Sequence, residues 1–173
     1  VDRLIIGGSV AAASELARVL PKRSKGRLVE VLPIPITATN EEILARASEV
    51  QAGLERAEEL EIVRDLLKEV RKGGRAVAGL GPTLAALNEG RVWKLIYLQG
   101  LELAGGHCAS CNMLFDPADE NCPLCGAPLR RESQILDRMS HAVLDQGGHV
   151  EPVDGPAAEA LRQVAEVAAF LHA

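Results

Sequence analysis

Four cysteines, and no others, stand in this 173-residue chain, as Cys108-Ala109-Ser110-Cys111 and Cys122-Pro123-Leu124-Cys125. Two C-x-x-C pairs at this separation can present four thiolates to one tetrahedral ion, with none left over. Each pair must curl back so that both sulfurs face one point. That favours a residue tolerant of positive φ after the second cysteine, and Asn112 and Gly126 occupy those places. Pro123 stiffens the second turn, and Pro117, Ala118, Asp119 and Glu120 make the connection turn-rich. Beyond Met113, Leu114, Phe115, Leu124 and Leu129 little in the stretch is apolar, so a metal would stand in for a core. Thiolates select zinc or iron, and a redox dithiol or a pair of disulfides is the other reading of the same spacing. The expectation is a structural Zn2+ site on Cys108, Cys111, Cys122 and Cys125. A full set of protein ligands leaves no open position for metal catalysis. With four sulfurs supplied, His107 and His141 read as ordinary surface histidines.

The remaining composition excludes more than it assigns. With 47% hydrophobic residues and a net charge of −5, the chain belongs to the globular class and can bury a core. Trp93, Tyr97, Phe115 and Phe170 are its only aromatics, which counts against single-strand nucleic-acid binding by base stacking. The acidic balance provides no global field toward nucleic acid, although a local basic patch still acts within a Debye length. No apolar run reaches the length of a membrane span and no signal peptide opens the sequence. Together with reduced, metal-bound cysteines this predicts a cytoplasmic protein without a membrane partner. No Ser/His/Asp order is defensible and the carboxylates scatter over helix faces, so neither an enzyme nor a small-molecule substrate is expected for this stretch.

In chain order, Leu4-Ile5-Ile6, Gly7-Gly8-Ser9 and Ala11 to Leu20 read as strand, turn and helix. An apolar strand so close to Val1 predicts a chain that continues upstream. The glycine turn is either a tight αβ turn or a phosphate cradle, and it lacks the spacing of a dinucleotide fingerprint or the lysine of a P-loop. Lys22, Arg23, Lys25 and Arg27 cluster on a loop after Pro21, as a solvated turn or a phosphate-contacting patch. Leu28 to Ile36 is extended, its prolines confining it to a sheet edge or a strand end. Thr39 or Asn40 then caps a helix running to about Lys72, with Glu41 and Glu42 against its dipole. Its apolar stripe, Ile43 to Val70 at three- and four-residue steps, suits packing over its own domain, joining two domains, or a coiled-coil dimer.

A second unit follows Gly73-Gly74. Ala76 to Pro82 leads into a helix from Thr83 to Asn88, and Val92 to Leu98 is the clearest strand in the sequence. After the cysteines come a helix from Glu132 to Gln146, a strand His149 to Val153, a helix from Pro156 to about Val164, and Val167 to Leu171 as strand or continued helix. Strand and helix alternate, so the class is α/β.

The block Gly79-Leu80-Gly81-Pro82-Thr83-Leu84-Ala85-Ala86-Leu87-Asn88-Glu89-Gly90-Arg91-Val92-Trp93-Lys94-Leu95-Ile96 resembles the start of the C-terminal domain in the archaeo-eukaryotic peptide chain release factor and Pelota family. Ala142 to Val153 resembles that family's helix, Gly-Gly turn and strand, and Val167 to Leu171 its closing strand. Cys108 to Cys125 falls where some members carry a small insertion. The resemblance implies residues 1–72 as the end of an RNase H-like central domain with its long helix. It implies 73–173 as a three-layer α/β/α domain, similar to kink-turn-binding ribosomal proteins, with a zinc-ribbon insertion at 104–130. It also implies a translation-associated factor for termination, rescue or hibernation, whose partners are the ribosome and a translational GTPase. Lys22, Arg23, Lys25 and Arg27 would then meet rRNA or tRNA phosphates. The family's hydrolytic Gly-Gly-Gln loop is not in these residues. The competing expectation is a zinc-ribbon adaptor for another protein, using Met113, Leu114 and Phe115 as an exposed apolar patch.

Overall fold

A computed structural model describes residues 3–116 and 120–172, so the expected turn at Pro117, Ala118 and Asp119 lies outside the described residues. The chain separates into two compact units, Val1–Glu55 and Arg56–Ala173.

In the first unit, strand β1 (Leu4–Gly8), helix α1 (Val10–Val19), helix α2 (Lys22–Lys25) and strand β2 (Leu28–Pro33) precede helix α3 (Asn40–Arg71), inside which the division falls. β1 and β2 pair in parallel, a connection that needs a crossover such as α1. Ser9 caps α1, its hydroxyl accepting from the Ala12 amide at 3.4 Å. The space over this turn is lined by Gly7, Gly8 and Ser9 and by the side chains of Ile5, Leu32, Ile34, Ile36 and Ile43, a mainly apolar wall with no basic side chain among its lining residues, which suits a tight turn. The basic cluster is not on a plain loop. Lys22 to Lys25 form one helical turn, because the Ser24 and Lys25 amides both donate to the Pro21 carbonyl. α3 opens on a reciprocal cap: Thr39 Oγ1 accepts from the Glu42 amide at 3.2 Å, and the Glu42 carboxylate accepts from the Thr39 amide at 2.7 Å.

The second unit is a three-layer α/β/α body with a small sheet inserted. Its strands and helices are β3 (Ala76–Ala78), α4 (Leu80–Asn88), β4 (Val92–Leu98), β5 (Gly105–His107), β6 (Leu114–Phe115), β7 (Arg130–Glu132), α5 (Ile135–Asp145), β8 (His149–Val153), α6 (Gly155–Arg162) and β9 (Val167–Leu171). The main sheet runs β3-β9-β4-β8, with β9 antiparallel to both neighbours and β8 parallel to β4. Successive β4 residues point to opposite faces and so feed two cores. Leu95 packs with Leu84 and Leu87 of α4 and Ile135, Met139 and Val143 of α5. Ile96 and Leu98 pack with Ala157 and Leu161 of α6 and with Val63 and Leu66 of α3. Val167 to Leu171 is therefore a strand in the interior of the sheet. Burying a side chain the size of Leu95 contributes about 2 kcal/mol. Among the described residues no helix is long and apolar enough to cross a membrane.

The inserted sheet runs β6-β5-β7. The helix expected from Glu132 starts instead at Ile135, because Arg130, Arg131 and Glu132 pair with His107, Gly106 and Gly105. Gly105 lies so close to α5 that a Cβ there would land on the Ile135 side chain.

Candidate metal centre

The two cysteine turns have the same hydrogen bonding. The Cys108 carbonyl accepts from the Asn112 amide at 2.8 Å and the Cys108 amide donates to Met113 at 2.9 Å. In the second turn Cys122 accepts from Gly126 and donates to Ala127, both at 2.8 Å. Asn112 and Gly126 close the turns with φ of 60° and 73°, and Asn112 is the one non-glycine residue with positive φ among the described residues. The turns face each other so that sulfurs meet across them: Cys108 Sγ lies 3.5 Å from Cys125 Sγ, and Cys111 Sγ 3.5 Å from Cys122 Sγ.

All four sulfurs lie within 4.8 Å of one another. A tetrahedral ion with metal–sulfur distances of about 2.3 Å needs its sulfurs about 3.8 Å apart, so the cluster can hold a metal ion with little adjustment. Electrostatics agree. The Cys111 amide, ahead of opposing burial and with help from the Ser110 amide and the sulfurs of Cys125 and Cys111, lowers the Cys108 thiol to about 6. At Cys111 the Met113 amide also pulls downward, yet burial and the three neighbouring sulfurs outweigh it and push the thiol up to about 12. Four thiols this close cannot all ionise alone, and a cation at their centre removes the conflict. The ion would supply cross-linking, since four sulfurs fill a tetrahedral shell.

His107 is not a surface residue. It is 8% exposed, and its Nε2 lies 2.9 Å from Asn112 Oδ1, steadying the strained residue of the first turn. Its buried Nδ1 makes no hydrogen bond among the described residues and stands 4.0 Å from Glu132 Oε1, which accepts from Arg138 at 2.8 Å. His141 is exposed, as expected.

Met113, Leu114 and Phe115 do not form an exposed patch. Leu114 is 5% exposed and belongs to the core beneath α4 and α5, while Met113 and Phe115 are half-buried. Asn88, the last residue of α4, holds it there: its Nδ2 donates to the Leu114 carbonyl at 2.7 Å and its Oδ1 accepts from the Leu114 amide at 3.0 Å. Asn88 and His107 escape a reading of the sequence because their partners are backbone and amide groups that no spacing rule points to. Lys22, Arg23, Lys25 and Arg27 are exposed in the first unit, with Lys25 Nζ donating to the Arg18 carbonyl at 3.2 Å.

No protein-family model and no curated protein sequence matches the chain. Solved structures do. The C-terminal domain of peptide chain release factor from Methanosarcina mazei is 24% identical, with a TM-score of 0.53 over 78% of this chain and 96% of that one. Archaeoglobus fulgidus Pelota is 19% identical with a TM-score of 0.56, over 99% of this chain and 49% of its own. A model of ribosome-bound archaeal Pelota and ABCE1 is 16% identical with a TM-score of 0.63, over 100% of this chain and 44% of that one. The chain thus spans slightly under half the length of the Pelota chains it matches. The α/β fold described above is the fold of the C-terminal part of archaeal Pelota and of the release-factor C-terminal domain.

Proposed function

We propose that this chain is a docking half of a translation factor of the Pelota and release-factor kind, working in the cytoplasm on the ribosome together with a translational GTPase, with no hydrolytic chemistry of its own. The observation that carries this is a fold shared along the whole chain with a Pelota structure described as ribosome-bound. In this reading residues 1–72 continue a central domain, 73–173 form the C-terminal domain, and 104–130 are a zinc ribbon on Cys108, Cys111, Cys122 and Cys125. Zinc suits the site because a closed set of four thiolates favours a tetrahedral ion without redox chemistry. The ion fixes a segment whose own apolar content is small. Lys22, Arg23, Lys25 and Arg27 would neutralise rRNA or tRNA phosphates.

Co-sedimentation with purified ribosomes tests the proposal. The zinc-loaded chain should pellet with ribosomes, and reversing the four charges to glutamate should weaken pelleting. The reversal should also flatten the dependence of log affinity on log salt, by a slope of roughly 0.9 for each phosphate no longer neutralised. Pelleting no greater than that of an unrelated acidic protein of equal size would exclude it.

A further inference from the structure

We propose that the corner of the main sheet beside Trp93 binds a nucleobase together with its phosphate. Strand register aligns Ala76, Phe170, Lys94 and His149 in one row across β3, β9, β4 and β8. An irregularity between Val92 and Lys94 places Trp93 at the same end. Its ring lies 5.6 Å from that of Phe170 at an interplanar angle of 30°, and 6.3 Å from His149, edge to face. Lys94 Nζ stands 5.6 Å from the Trp93 centroid and 3.5 Å from Glu151 Oε2, its side chain 16% exposed. Trp93 is therefore held in place while both large rings stay half-buried. Two of the four aromatic residues in the chain meet here, with Phe170 also packed against the second core; so few aromatics count against stacking along a strand but leave this one place for a single base.

Beside the rings is a cavity of about 450 Å³ lined by Glu69, Arg75, Trp93, Phe170, Leu171 and His172. The two rings pack on each other and both line the cavity, where their half-buried aromatic surface suits contact with a base, whatever its sequence context. The Glu69 carboxylate already accepts from the Arg75 amide at 3.3 Å; its remaining lone pairs can accept from the N–H groups of a base edge, and the Arg75 side chain with His172 can donate to a phosphate. A cationic peptide side chain would meet the same rings and Glu69, but Arg75 opposes it from within the cavity. A nucleotide satisfies both charges. The site needs neither the metal centre nor the ribosomal role proposed above.

Trp93 is the only tryptophan, so its emission reports on this corner alone. The full chain is titrated with nucleoside monophosphates, with unphosphorylated nucleosides and with a single-stranded RNA oligonucleotide. The expected result is saturable quenching by the monophosphates. Tighter binding of the oligonucleotide identifies RNA as the source, and equal affinity per nucleotide identifies free nucleotide. Phe170→Leu should weaken binding by about fivefold or more, the loss of one stacking partner. Arg75→Gln, at an exposed position, should remove the preference for monophosphate over nucleoside. The proposal is overturned if neither monophosphate nor RNA gives a saturable change up to about 10 mM, which corresponds to about −2.7 kcal/mol of binding. It is overturned equally if quenching is the same in the wild type and in the folded Arg75→Gln protein, or if only a lysine-rich peptide saturates the signal.

Discussion

Asn88→Ala should loosen the inserted ribbon from the body without touching a metal ligand. The Asn88 amide makes both hydrogen bonds available on the Leu114 backbone, at 2.7 and 3.0 Å, in a part-buried setting. Alanine leaves a backbone N–H and a carbonyl without partners, at about 1–3 kcal/mol each when water cannot reach them. Partial access to water puts the total at about 2–3 kcal/mol, comparable to the roughly 2 kcal/mol from burying the Leu114 side chain. At about 4 °C per kcal/mol this is a fall of roughly 10 °C in melting temperature for a unit of this size. Calorimetry of the metal-loaded proteins measures it, and hydrogen exchange at the Leu114 amide locates it. Chelation supplies a second readout. In the wild type, loss of the ion should lower the melting of the body because Leu114 leaves the core with the ribbon. In Asn88→Ala that effect should be smaller, a non-additivity expected of groups sharing one contact. A change below about 0.5 kcal/mol with Leu114 exchange as slow as in wild type would refute the reasoning, since unrelated surface substitutions fall in that range.

Cys108→Ser removes a buried ligand and should reduce metal content from one ion per chain to none after gel filtration; retention of a full equivalent would contradict a four-sulfur site. Metal affinity should rise with pH. At pH 7 Cys108, lowered to about 6, is already ionised, while Cys111, pushed up to about 12, holds a proton that the cation must displace. The apparent constant should therefore climb at least tenfold per pH unit, and fall more steeply below about pH 6, where the Cys108 proton must also leave. Competition titrations check this, and an affinity unchanged between pH 6 and 8 would disprove it. Gly105→Ala places a methyl against Ile135 and should cost about 1–3 kcal/mol by overpacking, measured by urea unfolding.

Much of the architecture is legible in the residues because local and global preferences agree. The largely apolar run Val92 to Leu98 is β4, the Thr39-x-x-Glu42 cap opens α3, and the cysteine spacing with Asn112 and Gly126 describes both turns before any coordinates. Features set by distant partners are not legible. Glu132 looks like a helix start and becomes a strand because Gly105 pairs with it. Leu114 looks like an exposed ribbon residue and is buried because Asn88, 26 positions earlier, binds its backbone. His107 looks idle beside a complete ligand set, yet it sits under the first turn and meets Asn112. Lys22 to Lys25 carry charges that suit a loop, but the Pro21 carbonyl is placed to start a turn of helix.

The position of β9 sets an order of events during synthesis. Its Phe170 pairs with Ala76, and its Ala169 with Leu95, so once β4 is made the slot between β3 and β4 stays vacant until roughly seventy further residues have followed. At about 5–20 residues per second this lasts roughly 4–14 s, during which two unpaired strand edges face each other across an empty lane. A chain whose synthesis stops before β9 would therefore be left with sticky borders in place of a middle.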